Sequence, residues 1–222
     1  MFTKKKILIF TMGFIMISDK AQCIQIKKEY GIYFKIPDGK VKDFALSVAK
    51  KHGSNVTPHI TVLQAVFSEE SLKEVHKKLL SWANAQKPLT IIFKKEIEKG
   101  GGGNTFWNVQ TESPLHEANL VLTEVIDPLR DGLLNQVEKN MDSFSSAELK
   151  NIKKYGRHFN VPGANQPHIT VAYGVQNVQL INEISTQIEN IDTTQVLTEI
   201  SFGEIDRQGN IIETLQTYKL GG

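Results

Sequence analysis

The chain has 222 residues, of which 40% are hydrophobic and 23% charged, with 26 Lys and Arg against 24 Asp and Glu. This composition excludes a disordered or collagen-like chain and is enough for one domain with its own core or for two small lobes. The formal charge of +2 is too small to mark a nucleic-acid-binding surface, and much of it is concentrated at one end of the chain.

That end comes first. Lys4, Lys5 and Lys6 precede an apolar run over 7–17, and Ala21-Gln22-Cys23 closes the segment with small residues at the positions a signal peptidase reads. The pattern predicts a signal peptide over 1–23 and a secreted or periplasmic protein. The alternative is an uncleaved signal that anchors the chain in a membrane, although a run this short does not span a bilayer comfortably. Cleavage after Cys23 removes four lysines and Asp19, leaving 22 basic and 23 acidic residues and no cysteine. The mature chain therefore suits an oxidising compartment without a disulfide framework.

Residues 31–36 alternate in polarity and are rich in β-formers, which predicts a strand ended by Pro37-Asp38-Gly39. Helical spacing follows over 41–52, then a strand over 59–67 led by Pro58. Ser68 caps a helix that runs to about Ala85. Strands are predicted over 89–97 and 105–110, with Gly100 to Gly103 as the hairpin tip, because no Gly-Lys-Ser/Thr follows to make a phosphate loop. Ser113 before Pro114 opens a helix over 114–130. The pattern weakens over 131–166, where a helix at 145–154 precedes an irregular loop rich in Gly, Asn and Pro. A strand over 168–175, a helix over 178–190 and strands over 195–206 and 210–219 complete the chain.

Pro-His-Ile-Thr-Val occurs twice, at 58–62 and at 167–171. On a strand, alternation places His59 and Thr61 on one face, Ile60 and Val62 on the other, and likewise for His168 and Thr170 against Ile169 and Val171. Two such strands facing one another supply two imidazoles for acid–base work and two hydroxyls to hold an anion. Matched sequences at corresponding strands suggest two similar lobes of mostly antiparallel sheet backed by helices, an α+β architecture with the repeats facing a central cleft. The domain reading is one unit over 24–222, interrupted by an insertion near 131–166.

Paired His-hydrophobic-Thr-hydrophobic motifs on matching strands resemble the 2H phosphoesterase superfamily, most of all its bacterial RNA 2′,3′-cyclic phosphodiesterases, also called 2′-5′ RNA ligase-like proteins. The resemblance covers most of 31–219 in element order. It implies a bilobal fold, no metal or other cofactor, His59 as proton donor, His168 as proton acceptor, and Thr61 and Thr170 as donors to the phosphoryl oxygens. The expected activity is hydrolysis of 2′,3′-cyclic phosphate ends of nucleotides or RNA. Cleavage of 2′-5′ or 3′-5′ oligonucleotides, and a non-catalytic nucleotide- or RNA-binding module, are the alternatives.

Other side chains are weaker candidates. Arg157, with His158 and Phe159, stands in the loop before the second motif and could clamp phosphate. Tyr33, Phe106, Trp107 and Tyr173 lie on predicted strands and could stack on a base. His76 and His116 have no partner ligands at useful spacing, so no metal site is expected. The expected partner is a nucleotide or RNA end, with no stable membrane partner and a monomeric state.

Overall fold

The computed structural model describes residues 27–175 and 177–221. The signal peptide expected at 1–23 lies outside the described residues. The first sheet is built from both ends of the chain. β1 (Glu29–Lys35) pairs antiparallel with β2 (His59–Val66), which carries the first repeat, and on its other side with β8 (Glu199–Ile205). β9 (Ile211–Lys219) completes the order β2-β1-β8-β9.

The second sheet comes from the middle of the chain. β4 (Glu98–Lys99), β5 (Asn104–Asn108) and β6 (His168–Tyr173) pair in that order, and β3 (Leu89–Ile92) pairs with β7 (Thr194–Leu197). A bridge between Phe93 and Val109 joins the two groups, flanked by Lys94 N–H to Asn108 O at 2.9 Å and Gln110 N–H to Ile92 O at 2.8 Å. The strand expected over 89–97 breaks after Ile92 because the chain's polar groups turn elsewhere. The Trp107 indole N–H takes the Lys94 carbonyl at 2.7 Å, and Ile97 N–H donates to Ser185 Oγ at 3.0 Å.

Both repeat strands are therefore edge strands, β2 in the first sheet and β6 in the second. The helices behind them are crossed. α1 (Lys40–Lys51), which follows β1, packs against β6, while α3 (Pro114–Ile126), which precedes the second repeat, packs against β2. α2 (Glu69–Ala85) lies against α3 and β9, and α6 (Val178–Thr186) follows β6. One continuous apolar core includes Ile32, Phe34, Leu63, Leu79, Trp107, Leu122, Ile169 and Phe202. The architecture is α+β, with antiparallel sheets backed by helices in two lobes.

The insertion has a small core of its own. α4 (Asn135–Lys139) and α5 (Ser146–Tyr155) bring Leu134, Val137 and Ile152 against Val66 at the end of β2, with Phe144 and Phe159 packed alongside. α5 begins in a capping box, Ser145 Oγ accepting from Glu148 N–H while Glu148 accepts from Ser145 N–H at 2.8 Å. The helix predicted at 145–154 is thus present, and its first turn is set by residues visible in the sequence.

Candidate active site

The two repeats are folded by the same local device. Ile60, Val62, Ile169 and Val171 are all fully buried. At roughly 1.5–3 kcal/mol for each such side chain, this burial fixes the strand register. A slip of one residue would expose all four, so the opposite faces, carrying His59, Thr61, His168 and Thr170, are held toward the cleft. The prolines lead both strands in the same way: Ile36 N–H donates to Pro58 O at 3.2 Å and Val109 N–H to Pro167 O at 2.8 Å.

The neighbouring strands repeat the symmetry. The register skips Val62 of β2 opposite β1, so that Tyr33 faces Thr61, and skips Val171 of β6 opposite β5, so that Phe106 faces Thr170. Each aromatic ring meets the histidine of its motif. Tyr33 presents an edge to His59 at 5.5 Å between centroids, and Phe106 stacks on His168 at 3.7 Å. Gly100 makes room for that stack, since a Cβ there would lie 2.3 Å from the Phe106 ring.

Each imidazole is pinned through Nδ1 to the carbonyl two residues upstream, His59 to Thr57 O and His168 to Gln166 O, both at 2.7 Å. A carbonyl can only accept, so Nδ1 carries the hydrogen and Nε2 is left as the nitrogen that exchanges protons. The two rings differ in charge preference. Burial lowers the pKa of both. At His168 the Gln166 carbonyl opposes the drop, but the proximity of His59 adds to it, and the value falls to about 4. At His59 the drop from burial is opposed by the Thr57 carbonyl, by the Gly209 backbone and by the Asp206 carboxylate. The Asp206 carboxylate near His59 and the like charge near His168 both favour placing a proton shared by the pair on His59.

The cleft between the lobes has a volume of about 550 Å³, and both histidines and both threonines line it. Gln64, Asn104, Gln136, Asn160, Gln166 and Gln208 add neutral amides, and Arg207 is the only Lys or Arg among the described residues that line it. No Asp or Glu is among them. Phe106, Tyr173, His158 and Phe159 also reach the wall. Among the described residues no group of three His, Cys, Asp or Glu side chains is placed to hold a metal ion.

Three weaker candidates are corrected. Arg157 is fully buried and donates to Asp127 Oδ1 at 2.5 Å and to Tyr155 O at 2.9 Å. It ties the insertion to the end of α3 and has no access to a phosphate. Trp107 is also fully buried, because alternation along β5 turns it away from the face that carries Phe106, and it packs between Phe44 and Phe93. Tyr33 is 1% exposed and its hydroxyl meets Thr214 Oγ1 at 3.0 Å, so it buttresses His59 from below rather than stacking on a ligand. Tyr173 does reach the cleft, its hydroxyl donating to Asn210 Oδ1.

Sequence reasoning missed the turn between β8 and β9. It placed strands over 195–206 and 210–219, but nothing local shows that the turn between them folds back over His59. The residues that could have drawn attention to it are Asp206, whose carboxylate organises the loop, and Arg207 beside it.

The fold and the paired His-x-Thr strands define a two-lobed protein with a cleft between edge strands. The same architecture is found in a solved structure described as a phosphoesterase, with TM-score 0.51 and 12% identity over 88% of this chain and 99% of that one. It is found again in Escherichia coli LigT, solved in complex with NADP+, with TM-score 0.50 and 13% identity over 89% of this chain and 100% of that one. No family model matches the chain, and no curated protein matches it by sequence. At these identities the likeness defines the fold, and the chemistry rests on the site itself.

Proposed function

We propose that the chain is a metal-independent phosphodiesterase that hydrolyses 2′,3′-cyclic phosphate ends of nucleotides or RNA. The observation that carries this reading is the matched pinning of the two imidazoles, each through Nδ1, on edge strands lining one cleft. Acid–base chemistry at a phosphodiester needs one proton acceptor and one proton donor on either side of the reacting phosphorus, and the pair is unequal in the required sense.

In the proposed reaction His168 Nε2 takes a proton from water as the water oxygen bonds to phosphorus. The bond from phosphorus to one ribose oxygen breaks, and His59 Nε2–H delivers its proton to that departing oxygen. The products are a ribose hydroxyl and a phosphomonoester. His168 is left protonated and His59 neutral, and exchange with solvent restores the starting state. Thr61 and Thr170 donate to the non-bridging oxygens, whose charge the transition state holds. Each histidine contributes roughly 10²–10⁴ in rate. With the expected signal segment removed, the enzyme would meet its substrate outside the cytoplasm.

The test is turnover in EDTA of a 2′,3′-cyclic nucleoside monophosphate beside 2′-5′ and 3′-5′ dinucleotides, with the product isomer identified. Cleavage of the cyclic phosphate supports the proposal. Cleavage of the dinucleotides alone transfers the reading to an oligonucleotide phosphodiesterase, and binding without turnover of any substrate makes the protein a binding module.

A further inference from the structure

We propose that Arg207 forms a second anion subsite in the cleft, which selects substrates carrying a further phosphate beside the scissile one. The choice of substrate rests on the phosphodiesterase reading, whereas the subsite itself does not. The turn between β8 and β9 is braced from three sides. Asp206 Oδ1 accepts from Gln208 N–H at 2.8 Å and Asn210 N–H at 2.9 Å, and its Oδ2 accepts from Asn210 Nδ2 at 2.9 Å. Tyr173, three residues beyond Thr170 on β6, reaches across to Asn210. Gly209 lies against His59 and also against Gln64 of β2, where a Cβ would come within 2.7 Å of the amide. Its φ of +83° is a second reason for glycine there. The turn thus touches both motif strands and is fixed relative to both histidines.

Arg207 stands two residues before Gly209, so their Cα atoms are at most about 8 Å apart. Its side chain is exposed at the cleft wall, and it forms no ion pair with a carboxylate among the described residues. A guanidinium on a braced backbone, free of a carboxylate and lining the same cleft as the proton donor, matches a phosphate through its planar fork. The other lining groups are hydroxyls, amides, imidazoles and aromatic rings, so nothing else in the wall competes for that anion. A single such cation also limits the length of the ligand. A cleft that tracks a long single strand needs a row of positive charges, whereas one guanidinium addresses one flanking phosphate.

The experiment compares kcat/KM for a 2′,3′-cyclic nucleotide with and without a 5′-phosphate, in wild type, Arg207→Gln and Arg207→Lys. Wild type should prefer the 5′-phosphorylated substrate by roughly ten- to hundredfold, the range of a charge-assisted hydrogen bond. Arg207→Gln should bring the ratio close to one, and Arg207→Lys should keep part of it because the charge remains without the fork. A wild-type ratio of one, or an unchanged ratio in Arg207→Gln, overturns the subsite. Calorimetric binding of a nucleoside 3′,5′-bisphosphate against the 3′-monophosphate reads the same contact without turnover. If neither cyclic substrate is cleaved but the bisphosphate binds at least tenfold tighter and Arg207→Gln abolishes the difference, the subsite stands and the hydrolytic reading falls. Equal affinities overturn the subsite.

Discussion

Replacing His59 with alanine removes the proton donor, and the surroundings contain no substitute. Tyr173 contributes a phenol to the wall, and burial first of all raises its pKa above the ordinary 10. His158, also in the wall, is kept neutral by burial between Phe144 and Phe159. His59→Ala should therefore lose roughly 10²–10⁴ in kcat/KM on a 2′,3′-cyclic nucleotide, which is about 2.7–5.4 kcal/mol of transition-state stabilisation. The pH profile tells which role was lost. In wild type the rate rises through about pH 4 as His168 becomes neutral and falls above the lowered pKa of His59, which lies below 6.5. In His59→Ala the fall on the alkaline side should vanish, while the acid limb should remain but move upward from about 4, because the neighbouring charge that helps depress His168 is gone. An aryl phosphodiester, whose leaving group departs as a stable phenolate and needs no proton, should restore most of the activity to His59→Ala and none to His168→Ala. Initial rates on both substrates, with far-UV circular dichroism to confirm folding, make the comparison. Rescue of His168→Ala instead would reverse the two roles, and undiminished turnover in both variants would refute two-histidine catalysis altogether.

Three further outcomes follow from the same contacts. Phe106→Ala uncovers one face of His168, so the depressing effect of burial weakens, and the acid limb of the pH–rate profile should move upward from about 4 toward 6.5. An unmoved limb would show that the ring does not set the base. Arg157→Ala removes the nearer of Asp127's two arginine partners, leaving Arg130 Nε at 3.7 Å, and should destabilise the fold by roughly 1.5–3 kcal/mol, read from urea denaturation; a loss under 1 kcal/mol would contradict the buried ion pair. His168 titrates lower in the fold than in the unfolded chain, so between pH 6.5 and about 4 the unfolded state binds the extra proton and stability declines as pH falls. The His168 share, up to about 3 kcal/mol, should be lost below 6.5 in wild type and absent in His168→Asn, as measured by denaturation at several pH values.

Much of this arrangement could be read from the sequence, for identifiable reasons. Each repeat combines a strict two-residue period with a leading proline, so strand, face and starting point are all encoded within five residues. α2, α3 and α5 announce themselves through serine caps at 68, 113 and 145. What escaped depends on contacts between distant segments. Arg157 sits in a stretch with the composition of a loop, yet its burial is decided by Asp127 on another element. Phe106 and Trp107 are adjacent aromatics, and only the pairing of Phe106 with Thr170 shows which one faces the cleft. The turn at 206–210 is obvious as a turn, but its return over His59 depends on β8 pairing with β1 at the opposite end of the chain.

That last pairing has a consequence for the life of the chain as it is made. β1 leaves the ribosome well before β8, one of its two flanking strands, and most of the other elements are made between them. The first motif strand can associate with β1 early, but the sheet beneath it stays open until the C-terminal hairpin arrives. Such long-range closure is slow. It also withholds Asp206, Arg207 and Gly209 from the cleft until β8 and β9 have been made. Nascent and truncated chains, however well their central lobe folds, lack the turn that favours a proton on His59.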